Sequence, residues 1–233
     1  MTVWLALDTA TDTASVALHD GDVIAESTWS SRRRHTVELA PRVRRMLDGS
    51  GLAPRDLAGI AVALGPGSYT GLRIALSLAK GIALSVPVQV VGVPTLDILA
   101  AALADTVALA GGGELHAVLR AGRGRVVAAR YGIAAAESPG RSGQWVESWP
   151  DPDALSAERF EQFTRRVTAP AWVAGELGAA QRRALRDAGL LVAAPEASVR
   201  RAGWLAALAR ERAPTASTSV ADLSPFYLGG DGF

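Results

Sequence analysis

The apolar residues of this chain fall into runs of two different periods that alternate along its first hundred positions. Val3-Trp4-Leu5-Ala6-Leu7 is an unbroken apolar run ending on Asp8, which predicts a buried strand. Ser15 to His19 reads as a second strand, the Asp20-Gly21 pair as a hairpin signal, and Val23 to Ser27, extending toward Trp29, as a third strand. From Thr36 to Leu47 the period changes: Leu39, Val43, Met46 and Leu47 recur at helical spacing, with Pro41 early enough to be tolerated. Gly49-Ser50-Gly51 closes that helix, and Pro54 to Leu57 reads as a short turn. A strand follows at Gly59 to Leu64, then a helical pattern from Gly71, a strand at Val88 to Val93 and a helix from Pro94 to about Leu103. Strands alternating with helices in this way predict parallel pairing through helical crossovers.

Gly111-Gly112-Gly113 interrupts the alternation and marks a boundary. Beyond it a hairpin is expected from Leu115 to Arg120 and Val126 to Tyr131, turning at Gly122 to Gly124. Gln144 to Trp149 reads as a strand, Ala154 to Arg166 as a helix, Ala171 to Ala174 as a strand, and Ser198 as the cap of a helix to about Arg212. No internal repeat shows in the residues. The expected organisation is a first lobe over 1–110, a smaller lobe over 111–197, and a C-terminal helix and tail over 198–233 that returns toward the first lobe.

The segment from Ile60 to Ala83 carries the most information. A strand runs into Gly65-Pro66-Gly67-Ser68-Tyr69-Thr70-Gly71 and directly on into a helix whose positions four apart are Gly71, Ala75, Ala79 and Ala83. Residues four apart share a helix face, so this one bears a seam with almost no side-chain bulk. The segment therefore offers a glycine-rich turn at a helix N-terminus, which could hold a phosphate, and a flat face, which could receive a second helix.

Composition narrows the choice only a little. At 49% hydrophobic and 20% charged, the 233 residues read as one large or two small globular domains. The absence of cysteine removes disulfide and thiolate chemistry, and no stretch approaches the roughly 20 apolar residues of a membrane helix, so a cytoplasmic location is expected. A net charge of +1 argues against a strongly electrostatic nucleic-acid binder. Lys80 is the only lysine among the cationic residues; it reflects either an arginine-rich composition or a specific task on a phosphate or a helix-end partner.

Few residues point to chemistry. Asp8 and Thr9 end the first strand, where an acid could hold a metal–nucleotide complex. Kinases and ATPases on actin-like folds place glycine in that loop, whereas Asp8-Thr9-Ala10-Thr11-Asp12-Thr13 has none. The alternative is that Asp8 and its hydroxyl neighbours satisfy backbone groups of a turn. The Gly65 to Gly71 turn matches neither a Walker loop nor a dinucleotide fingerprint. His19, His35 and His116 lie far apart, without a paired-ligand spacing, so no metal site is expected.

Four segments carry a resemblance: Asp8-Thr9-Ala10-Thr11, Arg34-His35-Thr36-Val37-Glu38, Gly65-Pro66-Gly67-Ser68-Tyr69-Thr70-Gly71-Leu72-Arg73, and Ala79-Lys80-Gly81. Together they resemble the TsaB (YeaZ) family over about residues 3 to 100, with thinner support from Val173-Ala174-Gly175-Glu176 and Ser224-Pro225-Phe226-Tyr227-Leu228. The resemblance implies an α/β fold, the two-lobed, actin-like ATPase architecture with a ribonuclease-H-like first lobe and a degenerate second lobe. It implies a non-catalytic subunit of the bacterial complex that forms N6-threonylcarbamoyladenosine beside the anticodon of tRNA. Such a subunit pairs with the catalytic TsaD, is joined by the ATPase TsaE, forms a homodimer when alone, and meets tRNA only through the complex. The interface would fall on two helices, at Leu39, Val43, Met46, Leu47, Gly71, Leu72, Ala75, Ala79 and Ala83. Asp8, Thr9, Gly65, Pro66, Gly67, Ser68, Thr70, Arg73 and Lys80 would be motif residues near any nucleotide, which is not required as a cofactor but could lodge at a subunit interface. The metal-binding histidine pair of TsaD has no counterpart in Gly92-Val93-Pro94-Thr95-Leu96-Asp97-Ile98-Leu99. Two departures from the family pattern are Arg120-Ala121-Gly122 with Arg125 in the second-lobe hairpin, and Gly229 after Tyr227-Leu228. The rivals are an active nucleotide-dependent phosphotransferase of the same fold and, more remotely, a metallopeptidase.

Overall fold

The computed structural model describes residues 2–32, 34–136, 155–215 and 219–228. The chain forms two compact units, Met1–Ile98 with Arg200–Phe226 and Leu99–Val199 with Tyr227–Phe233.

The first unit is built on a five-stranded sheet. Its strands are β1 (Val3–Asp8), β2 (Thr13–His19), β3 (Val23–Ser30), β4 (Leu57–Ala63) and β5 (Gln89–Val93), in the order β3-β2-β1-β4-β5. The first three pair antiparallel, with Leu5 opposite Leu18, and β1, β4 and β5 pair parallel, with Leu5 beside Ile60 and Ala61 beside Val91. β1 is buried on both faces, as a central strand between helical layers must be, so it reads as continuous apolar sequence. On one face α1 (His35–Gly49) and α2 (Tyr69–Ala83) bury Leu39, Val43, Leu47, Ala75, Leu76 and Ala79 in a single core with Leu5, Leu7, Val16, Ile60 and Val62. α1 continues through Pro41 to Gly49, two residues beyond the expected Leu47.

The opposite face meets α6 (Ala202–Arg212) and the residue two before it, Ser15 bonding Ala202 and Asp8 bonding Arg200. That helix does not begin at Ser198, as its sequence predicts. Ser198 ends a short 3-10 turn and its hydroxyl donates to the Ala194 carbonyl, while the helix starts at Ala202. Its first amides are satisfied from a distance: Ala202 N–H donates to Ser15 Oγ at 2.9 Å and Gly203 N–H to Glu26 Oε1 at 2.7 Å. Caps supplied from other strands leave no signal beside the helix they start.

The second unit carries β6 (Gly113–Arg120), β7 (Arg125–Ile133), β8 (Ala157–Arg159), β9 (Trp172–Gly175) and β10 (Leu191–Val192), in the order β10-β9-β6-β7-β8. The β6–β7 hairpin falls where the sequence places it. α3 (Thr95–Leu109) runs a turn and a half past the expected Leu103. The helix expected from Ala154 is α4 (Phe160–Arg166), preceded by β8, and α5 (Ala179–Asp187) and β10 are additional. The expected strand at Gln144 to Trp149 and the departure at Gly229 lie outside the described residues.

The two sheets share one plan, although no sequence repeat announces it. Each runs β-β-β-α-β-α-β and ends in a further helix, with three antiparallel strands followed by two parallel additions on the side of the first strand. Such duplicated sheets are the actin-like ATPase architecture.

Candidate functional site

The turn between β4 and α2 is closed by the chain itself. Ser68 caps α2, its hydroxyl accepting from Gly71 N–H at 3.3 Å, and its own N–H donates to the Ala10 carbonyl at 2.6 Å. Gly65 N–H donates to Thr95 Oγ1 at 3.1 Å, and Thr9 Oγ1 donates to the Gly71 carbonyl at 2.7 Å. A Cβ at Gly67 would overlap the Ala10 carbonyl oxygen, and one at Gly71 the carbonyl oxygen of Thr9. These two glycines therefore provide clearance for the loop after β1. Three amides that could have cradled an anion, those of Gly65, Ser68 and Gly71, are bound within the chain.

Asp8 lies in the same neighbourhood. Its Oδ1 accepts from Ala10 N–H at 2.8 Å, as in the turn-satisfying alternative, and its Oδ2 accepts from Arg200 Nε at 3.0 Å. Both side chains are almost wholly buried, at 1% and 2% exposure. Arg200 is the site residue that sequence reasoning misses. It lies 192 positions away in a chain rich in arginine, and nothing in its neighbours marks it as buried. The other motif residues are dispersed. Thr70 and Arg73 are exposed; the Arg73 guanidinium lies 5.2 Å from the centre of the Tyr69 ring and donates to its hydroxyl. Pro66 is buried within the turn. Lys80 Nζ donates to the Ala221 carbonyl at 2.9 Å, which ties α2 to the C-terminal segment.

The seam on α2 points the other way from expectation. Gly71, Leu72, Ala75 and Ala79 are buried, as are Leu39, Val43 and Leu47 on α1, while Met46 and Ala83 are half-buried. The small residues bring α2 close to its own sheet. In this chain seven of the nine expected interface positions are thus buried within the unit rather than on its outer surface. What the helix pair presents outward is a groove of about 480 Å³ lined by Thr36, Leu39, Ala40, Tyr69, Thr70, Arg73, Ile74, Ser77 and Leu78. Three large apolar side chains are exposed on these elements: Val37 at 61%, Tyr69 at 54%, and Leu84, just past α2, at 90%.

The histidines remain separate. His19 Nδ1 accepts from Gly21 N–H at 3.2 Å, and His116 pairs through Nε2 with Glu114 at 2.5 Å. His35 is buried at the start of α1, and its Nδ1 has no partner among the described residues. Burial lowers the pKa of all three below the ordinary histidine value; Asp12 and Asp8 oppose it at His35, and Glu114 at His116. Among the described residues no group of three His, Asp or Glu could hold a metal ion, and no helix is long and apolar enough to cross a membrane.

Comparison with known proteins agrees with this architecture. A family model described as TsaD, tRNA N6-adenosine threonylcarbamoyltransferase, matches residues 22–170. The chain is similar to the tRNA threonylcarbamoyladenosine biosynthesis protein TsaB of Bacillus subtilis, with 43% identity over 98 residues, which are 42% of this chain and 43% of that one. The Escherichia coli TsaB is 42% identical over 97 residues, 41% of this chain and 42% of its own. The matched stretch thus spans under half the length of these curated relatives. A tRNA N6-adenosine threonylcarbamoyltransferase of Trichlorobacter lovleyi is 32% identical over 148 residues, 53% of this chain and 43% of its own. The fold is that of YeaZ from Pseudomonas aeruginosa, with a TM-score of 0.73 at 24% identity, covering 98% of this chain and all of that one. The chain belongs to the family that the TsaD model describes.

Proposed function

We propose that this chain is a non-catalytic partner subunit in the formation of N6-threonylcarbamoyladenosine in tRNA, working in the cytoplasm. Its α1–α2 pair engages the catalytic subunit TsaD, the ATPase TsaE joins the assembled pair, and tRNA is met only through the complex. The same helix pair serves a homodimer when the chain is alone. Any nucleotide lodges at a subunit interface and is not required by this chain. The observation that carries this reading is the groove between α1 and α2, flanked by exposed Val37 and Tyr69. Contiguous exposed apolar surface on a folded domain marks a place for a partner. The tie between Asp8 and Arg200 supports the non-catalytic part, because it commits the acid that a phosphotransferase would need.

Reconstitution of the tRNA modification with TsaD and TsaE, with and without this chain, tests the role. Modification is expected to depend on the chain and to fall when Ser77→Arg fills the groove from an exposed position. Copurification of TsaD with a folded Ser77→Arg variant at the unaltered level would overturn the interface. ATP turnover by the isolated chain that disappears in Asp8→Ala would favour the phosphotransferase instead.

A further inference from the structure

Asp8 stands where a chain of this fold would hold a metal–nucleotide complex, and the residues around it do not fit one. Of its two carboxylate oxygens, Oδ1 accepts from Ala10 N–H at 2.8 Å and Oδ2 accepts from Arg200 Nε at 3.0 Å. The same guanidinium reaches further: its Nη2 donates to Thr11 Oγ1 at 2.6 Å and lies 3.5 Å from the Thr13 carbonyl oxygen. A carboxylate, a hydroxyl and a carbonyl oxygen thus converge on one planar, permanently charged group. These are the hard oxygen donors that Mg²⁺ and Mn²⁺ prefer, and the guanidinium has taken all three.

The position of Arg200 does not depend on this contact alone. Immediately after it, Arg201 Nε donates to Glu26 Oε2 at 2.6 Å, Ala202 N–H to Ser15 Oγ at 2.9 Å and Gly203 N–H to Glu26 Oε1 at 2.7 Å. Three anchors on β2 and β3 hold the start of α6, so the guanidinium is delivered to the pocket by a backbone that is fixed separately.

We propose that the pocket formed by Asp8, Thr11 and the Thr13 carbonyl is a cation site whose resident cation is the chain's own Arg200, and that removal of that side chain opens it to a divalent metal ion. The buried carboxylate is compensated without any exchangeable ion, so the first unit holds its charge balance whatever metal surrounds it. This goes beyond the proposed subunit role and does not depend on it, since it concerns the isolated chain.

Mn²⁺ uptake by the full-length chain, followed by loss of the free-ion electron paramagnetic resonance signal, together with thermal denaturation in EDTA and in Mn²⁺, tests the proposal. Arg200→Ala is expected to take up Mn²⁺ stoichiometrically beyond the wild-type level and to gain melting temperature as Mn²⁺ is added, because a ligand that binds only the folded state stabilises it. Arg200→Lys, which keeps the charge, is expected to behave as wild type, and the double variant Asp8→Asn with Arg200→Ala to lose the extra uptake. Should Arg200→Ala fail to fold in EDTA, recovery on adding Mn²⁺ supports the proposal and failure to recover overturns it. A folded Arg200→Ala with no extra uptake, or extra uptake that survives Asp8→Asn, overturns it too. Copurification with TsaD and tRNA modification are separate measurements, so either reading can fail while the other stands.

Discussion

Gly71 occupies a point where two stretches of backbone meet with no room for a methyl group. Its neighbour is the Thr9 carbonyl, a backbone atom that cannot rotate away, and the Thr9 hydroxyl is bonded to Gly71's own carbonyl. Gly71→Ala is therefore expected to destabilise the chain by about 1–3 kcal/mol, the usual cost of overpacking, as read from urea denaturation. Burial at His35 has a different consequence. Its pKa is lowered in the folded chain, so below the ordinary value of 6.5 the unfolded chain binds the proton more readily. The stability contributed by the neutral imidazole is present above pH 6.5 and is lost as the pH falls toward the lowered folded value. His35→Gln is expected to flatten the decline of melting temperature over that acidic range, with His19 and His116, lowered in the same way, contributing to what remains. The glycines of the β4–α2 turn could be read as clearance from the sequence. The identity of what they clear could not, because the carbonyls of Thr9 and Ala10 leave no trace in residue type.

At the scale of elements, sequence period gives existence and contact gives orientation. The row of small residues on α2 is plain in the sequence, yet a flat face packs equally well on a partner or on the chain's own sheet. Neighbouring residues decide it: Leu72 and Leu76 share the burial of Ala75 and Ala79, whereas Tyr69, Thr70, Arg73 and Ser77 stand out to solvent. Ala79→Leu should accordingly cost about 1–3 kcal/mol in the isolated chain through overpacking. A loss of TsaD binding with unchanged stability would show the seam to be external after all. α6 depends on acceptors that belong to other strands. Removing the carboxylate in Glu26→Ala takes away the acceptor of Gly203 N–H and the partner of Arg201, and is expected to cost about 0.5–2 kcal/mol, as loss of a helix cap does. Hydrogen exchange should show the amide of Gly203 losing protection while those of β4 keep theirs.

Over the whole molecule, charge is unevenly placed. α1 and α2 carry Arg42, Arg44, Arg45, Arg73 and Lys80 against only Glu38 and Asp48, in a chain whose net charge is +1. Two copies meeting through this face would oppose like charge to like. Sedimentation at increasing salt is thus expected to show self-association strengthening as screening grows, and a dimer that weakens with salt would contradict it. The α/β alternation that builds each sheet was readable from period alone, but its duplication was not, since β8 and β10 are only three and two residues long. The first unit also draws on both ends of the chain, Met1–Ile98 and Arg200–Phe226. During synthesis β1 leaves the ribosome long before the helix that covers it. Throughout that interval Asp8 has no guanidinium and the α6 side of the sheet has no cover. An actin-like chain of this design closes the sheet of its first unit only once α6 has been made, so products truncated or stalled before Arg200 leave β1 uncovered, and a chaperone that shields nascent apolar sheet would find it there.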